Sequence, residues 1–222
     1  MRSRFAPFVL FLFAAFHTAP SYCVQTAPDT VFASQPIPDT VFLRMKGKSY
    51  PDGCTVPRSE LRYLRLSYCN AEGLTQTGEM VCNKAIAADL VDIFRQLWLA
   101  GYRIERMRLI DDYDADDQRS MEANNTSCFC YRTVSGTQTL SKHAQGLAVD
   151  INTLYNPYIF TRQGKTRIEP RGGRKWAYNR DKRTDIPYKI DHHDLCYRLF
   201  LAHGFCWGGD WRTAKDYQHF ER

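Results

Sequence analysis

Several things are missing from this 222-residue sequence, and each absence removes a class of protein. The apolar run near its start, Phe5 to Phe16, is broken by Pro7 and is too short to span a bilayer as a mature anchor. No CxxC pair occurs, so a cysteine-only zinc site lacks its usual spacing. Strands and helices do not alternate in a βαβ rhythm, which argues against a doubly wound parallel sheet. The pentapeptide PDTVF occurs at Pro28 to Phe32 and again at Pro38 to Phe42, and two copies do not make a repeat fold. The formal charge is +6, yet no recognised nucleic-acid-binding module accompanies it, so nucleic acid is not an expected partner.

What is present begins with an export pattern. Arg2 and Arg4, the apolar run, and a small or polar exit follow one another in the order of a signal peptide, expected over residues 1–23. Pro20, Ser21 and Tyr22 fit lipid modification of Cys23 poorly, so stable membrane insertion is not expected once the signal is removed. Cys54, Cys69, Cys82, Cys128, Cys130, Cys196 and Cys206 then remain. In an exported protein they are expected to form disulfides, the odd number leaving at least one thiol unpaired. The expected compartment is the periplasm or cell envelope of a bacterium.

Residues 24–57, rich in proline, threonine and serine, read as an extended arm or linker. One helix is expected from Asn83, a capping residue, to Ala100, with Ile86, Leu90, Phe94, Leu97 and Trp98 on one stripe and Gly101 to stop it. A second should run from a cap at Asp191 to Gly204, and Met107 to Ile110 and Phe129 to Val134 read as short strands. The mixture implies a small single α+β domain with a mainly antiparallel sheet. Between these elements, Arg162 to Arg183 carries nine Lys or Arg against Glu169 and Asp181, more than the whole formal excess. It reads either as a solvated basic insertion or as a basic lid that attracts an acidic substrate.

Two stretches carry candidate chemistry. In SKHAQGLAVDI, His143 precedes a turn at Gly146, after which Leu147 to Ile151 alternate as a strand; Ala148 and Asp150 share one face. In WGGDWRTAKDYQHFER, Asp216 and His219 sit three apart, so a turn must intervene before both can face one site. His143, Asp150 and His219 would supply three ligands and leave a fourth position open, the pattern of a catalytic zinc site.

HxxGxAxD followed by DxxHFE after a WGG turn resembles the zinc peptidase family of D-alanyl-D-alanine carboxypeptidases, dipeptidases and phage L-alanoyl-D-glutamate endopeptidases. The segments RYLRLSYCNAEG, GEMVCNKAIAADLVDIF and NNTSCFCYRTVSGT resemble the endopeptidase-like branch. The resemblance implies a zinc peptidase domain over residues 58–222, on the α+β fold shared with hedgehog signalling domains. It implies one Zn2+ held by His143, Asp150 and His219, with Asp216 as catalytic base. Arg132, with Arg119 as the substitute, would balance the oxyanion; Ser141 would bind substrate backbone; Glu221 would orient a ligand from behind. The implied substrate is the peptide part of peptidoglycan. The alternative is a non-catalytic zinc-containing cell-wall binding module, against which the base at Asp216 argues. A two-metal nuclease is less favoured, since it would need more carboxylates.

Overall fold

The computed structural model describes residues 30–134 and 137–222; the expected signal, 1–23, and Cys23 lie outside the described residues. The chain runs β1 (Phe32–Gln35), α1 (Asp39–Met45), β2 (Leu61–Cys69), β3 (Thr75–Asn83), α2 (Lys84–Leu99), β4 (Arg106–Met107), α3 (Asp117–Glu122) and β5 (Asn125–Thr126). It continues through β6 (Ala148–Asp150), β7 (Tyr158–Arg162), β8 (Lys165–Glu169), α4 (Leu195–Ala202), β9 (Cys206–Trp207), β10 (Ala214–Asp216) and β11 (His219–Glu221). Three antiparallel sheets result, ordered β1-β2-β3, β10-β7-β8 and β6-β11-β9, beside a short parallel pair of β4 and β5. This is an α+β domain. No helix among the described residues is long and apolar enough to cross a membrane.

The scaffold is β2, β3 and α2. Asn83 caps α2, its side chain accepting the Ala85 amide at 3.0 Å, and Ile86, Leu90, Ile93, Phe94 and Leu97 bury one face. Gly101, at φ 66°, ends the helix, with its amide donating to Trp98. The same core takes in Val149, Phe200 and Phe220, so the elements that carry the site are rooted in the scaffold.

Five expectations need correction. The stretch read as an arm is instead folded onto the domain from residue 32: β1 extends the first sheet, and Ile37, Val41 and Met45, four apart, are buried against Leu61, Val81 and Phe129. Phe129 to Val134 forms no strand. Its amides go to four separate partners, Phe129 to Val81, Cys130 to His143, Tyr131 to Ser49 and Val134 to Thr139, so no single ladder can form. The strand at Met107 to Ile110 stops at Met107. Buried Asp111 accepts both the amide and hydroxyl of Ser49 at 3.0 Å and draws the chain into a 3-10 turn. The second helix is capped by Asp194, not Asp191, which turns back to the His193 amide; His192 and His193 therefore precede the helix.

The fifth correction concerns the disulfides. Among the described residues Cys54, Cys82, Cys128, Cys130, Cys196 and Cys206 form no disulfide, and Cys82, Cys128, Cys130 and Cys196 are buried, serving as small apolar packing groups.

Candidate metal centre

His143 reaches the site from a 3-10 turn over Lys142–Gln145. The turn is capped at one end by Ser141, which is buried and accepts the His143 amide on Oγ at 3.2 Å. At the other end Gly146 adopts φ 68°, and a Cβ there would come within 2.7 Å of the Asn83 amide nitrogen. Glycine is required on both counts. The Gly146 carbonyl accepts the Asn83 amide at 2.8 Å, so the turn carrying His143 is fastened to the cap of α2.

Asp150 ends β6 and His219 begins β11, and the two are register partners in the antiparallel pair. Alternation sends their neighbours Val149 and Phe220 into the core, where Phe220 stacks on Phe200 at 4.3 Å. Ala148 stands opposite Glu221 and leaves room beside it.

Asp216 arrives from a different sheet. It ends β10, which pairs with β7, and after two connecting residues the chain enters β11. The connecting residues are pinned, Gln218 accepting the Ile151 amide and Tyr217 accepting the Trp207 indole, each at 3.0 Å. This break lets residues three apart serve one site, which a continuous strand forbids. Gly208 packs into the corner so closely that a Cβ would lie 2.8 Å from that of Asp216.

The four residues are each no more than 9% exposed. His143 Nε2 lies 3.2 Å from His219 Nδ1 and 3.1 Å from Asp150 Oδ2, and His219 Nδ1 lies 3.0 Å from Asp150 Oδ1. The outer ring nitrogens settle the tautomers. His143 Nδ1 is 2.6 Å from the Cys128 carbonyl, which can only accept, and His219 Nε2 is 3.1 Å from a Glu221 carboxylate oxygen. Both outer nitrogens therefore donate, and once the cluster gives up its proton the inner pair presents lone pairs to one point beside a carboxylate. The three ligand atoms fall within 4.8 Å of one another, and this donor set suits a divalent cation.

Charge is arranged accordingly. Burial pushes the Asp150 carboxyl up, but the two imidazoles outweigh it and hold it well below the usual carboxylate range. Burial would lower His219, yet its hydrogen bonds to Asp150 and Glu221 raise it. In the metal-free chain a proton balances the cluster, and a cation would displace it. Asp216 is lifted by burial to about 7, with His219 opposing the rise and Asp150 adding to it. Its Oδ1 is buried with no hydrogen-bond partner among the described residues.

Arg132 lies beside this group and Arg119 does not. The Arg132 charge acts on both Asp150 and Asp216, its carbonyl accepts the Ser141 amide at 3.0 Å, and its Nε is engaged by Asp117. Arg119 instead pairs with exposed Asp114 at 2.8 Å.

Residues 135–222 match the family described as D-alanyl-D-alanine carboxypeptidase. No curated protein and no solved structure matched the chain. The peptidase-like stretch contains His143, Asp150, Asp216, His219 and Glu221, whereas Arg132 and Asp117 precede it. Asp117 and the Cys128 carbonyl escaped the sequence reading: one sits in an unremarkable acidic run, and the other is backbone. Neither carries a motif signal.

Proposed function

We propose that the chain is a zinc-dependent peptidase that hydrolyses peptide bonds in peptidoglycan stem peptides, as a D,D-carboxypeptidase or an endopeptidase of the L-Ala-D-Glu type. One observation carries this reading: a buried three-ligand cluster stands beside a fourth ionisable residue, Asp216, whose Oδ1 has no hydrogen-bond partner among the described residues. A purely structural site closes its coordination and has no use for such a group.

His143, Asp150 and His219 would hold the ion, and bound there zinc supplies a Lewis acid that acidifies water and polarises the scissile carbonyl. Asp216 takes a proton from the attacking water and returns it to the leaving amine, two tasks suited to a carboxyl whose pKa stands at about 7. Arg132, steadied by Asp117, directs a fixed positive charge towards the carbonyl oxygen as negative charge develops there. Glu221 and the Cys128 carbonyl keep the imidazoles in the ligating tautomer. In this reading Ser141 donates its hydroxyl hydrogen to the substrate backbone, and the protein works in the cell envelope after losing residues 1–23.

The test is digestion of purified peptidoglycan with zinc-loaded protein, followed by mass identification of the fragments. Free D-alanine identifies a carboxypeptidase, and a cut between L-alanine and D-glutamate identifies an endopeptidase. Binding without release of any fragment sinks the peptidase reading and leaves a zinc-containing binding module.

A further inference from the structure

The basic stretch from Arg162 to Arg183 does different work at different positions. Arg180 is buried, donates to the carbonyls of Tyr155 and Trp176 at 2.7 and 3.0 Å, and lies 4.3 Å from the Tyr217 ring. Arg183 pairs with Asp185 at 2.6 Å. These two hold the segment together. Arg167, Arg171 and Arg174 are different: all are exposed, and none takes part in an ion pair among the described residues. Together with Gln118, Glu169 and Tyr178 they wall a cavity of about 560 Å3.

Three guanidinium groups around one concavity, against the single carboxylate of Glu169, repel one another until an anion enters. Glu169 does not cancel them, since a single carboxylate faces three guanidinium groups and is shared with Arg132 and Arg162 as well as Arg167. We infer that this cavity is a subsite for a carboxylate of the peptide substrate. The identity of the substrate rests on the peptidase reading above; the charge of the ligand rests on the cavity alone.

The cavity is joined to the metal centre on both walls. Asp216, Tyr158 and Glu169 are successive register partners across β10, β7 and β8. At ~4.8 Å between neighbouring strands, the Glu169 backbone lies about 10 Å from that of Asp216. On the opposite wall Gln118 follows Asp117, the residue that engages Arg132. An extended peptide advances ~3.3 Å per residue, so a chain held at the metal centre delivers a carboxylate to the cavity roughly three residues from the scissile bond. A carboxylate suits the planar fork of arginine, which grips it through two parallel hydrogen bonds.

The experiment uses the metal-free chain, which binds without turnover, and titrates it calorimetrically with a stem pentapeptide and with the same peptide amidated at every carboxylate. The acid form is expected to bind about 10-fold tighter or more, the preference fading with salt. The double variant Arg167→Ala, Arg174→Ala, with both changes on exposed side chains, should lose that preference while its melting temperature holds. Equal affinity for the two peptides, or an undiminished preference in the variant, overturns the inference. Inorganic phosphate is the third ligand: if it binds through the same arginines while the peptide forms stay indistinguishable, the cavity takes phosphate and not a peptide carboxylate.

The zinc-loaded protein separates this inference from the one before it. Cleavage of both peptides with equal kcat/KM sinks the subsite and keeps the peptidase. Cleavage of neither sinks the peptidase, while acid-selective binding by the metal-free chain still supports the subsite.

Discussion

The β2–β3–α2 scaffold and the corner where β6 meets β11 bury their residues for opposite reasons. In the scaffold, two nine-residue strands pair along their whole length and a sixteen-residue helix covers them with aliphatic and aromatic side chains. In the corner the strands are three residues long, and the inward groups on the site face are His143, Asp150, Asp216 and His219. Burial stabilises the first region and works against the second, where ionisable groups lose water and receive in exchange one another, one backbone carbonyl and Glu221. The corner is therefore held by its attachments, through Gly146 to the cap of α2 and through Val149 and Phe220 to the core. Substitutions in the two regions should fail in opposite ways.

The largest effect is expected from removing a ligand. His143→Ala or His219→Ala should abolish both bound zinc and hydrolysis, because two protein ligands hold zinc weakly. Elemental analysis on the folded variants checks this, and full zinc in either one would refute the ligand set.

Asp216→Asn should keep its zinc and lose ~10²–10⁴-fold in kcat. Its stability should move the other way. The folded-state pKa is raised from 3.8 to about 7, so the wild type binds a proton more tightly when folded. That contribution is present at low pH and is lost as pH rises from about 4 towards about 7, whereas asparagine is indifferent. In metal-free protein the variant should thus gain in melting temperature relative to wild type across that window and hold the gain above it. For the same reason wild-type turnover should rise with pH, its acidic limb lying at or below about 7, since a neighbouring cation favours the carboxylate. A variant that melts lower at neutral pH would place Asp216 with the stabilising residues instead.

In the scaffold, Leu90→Ala should cost about 2–5 kcal/mol in chemical denaturation, because Leu90 is fully buried in the core. The fraction that remains folded should still bind one zinc. Loss of zinc without loss of stability would contradict the division between the regions.

The smallest effect concerns the support behind His219. Glu221→Gln should weaken zinc affinity by ~10–100-fold with little change in melting temperature, since it touches only the outer nitrogen of the ligand. Competition with a chelator measures it.

These regions also differ in how far the sequence disclosed them. The α2 stripe follows from period and caps, which are local properties, and it appears in the structure within a residue of its expected ends. The strand after Gly146 follows from alternation, as does its burial of Val149 and Ile151. Segments whose partners are distant did not yield to pattern. Phe129 to Val134 has a strand's composition, but its amides are claimed by four separate stretches of chain. Four of the cysteines counted as bridge formers, Cys82, Cys128, Cys130 and Cys196, are instead buried among the described residues without a disulfide and pack as small apolar groups.

The repeated pentapeptide marks the boundary between the two kinds of knowledge. Of the described residues in the two copies, Phe32 begins β1 whereas Thr40, Val41 and Phe42 lie within α1, so matching residues take different backbones according to what packs against them. By itself the sequence determined which residue types were available for metal chemistry, and at what spacing: a histidine before a tight glycine turn, an aspartate four residues beyond it, and a carboxylate three before a second histidine. Only the tertiary structure decided that these meet. The chain must leave one sheet at Asp216 and enter another at His219, and the register of β6 against β11 must set His219 opposite Asp150. Likewise the sequence counted the basic residues of 162–183, but folding separated them, burying Arg180 as a strut and leaving three arginines around a cavity. Local pattern specifies which face of an element is buried; convergence of charges from separate elements depends on long-range pairing that no local pattern encodes.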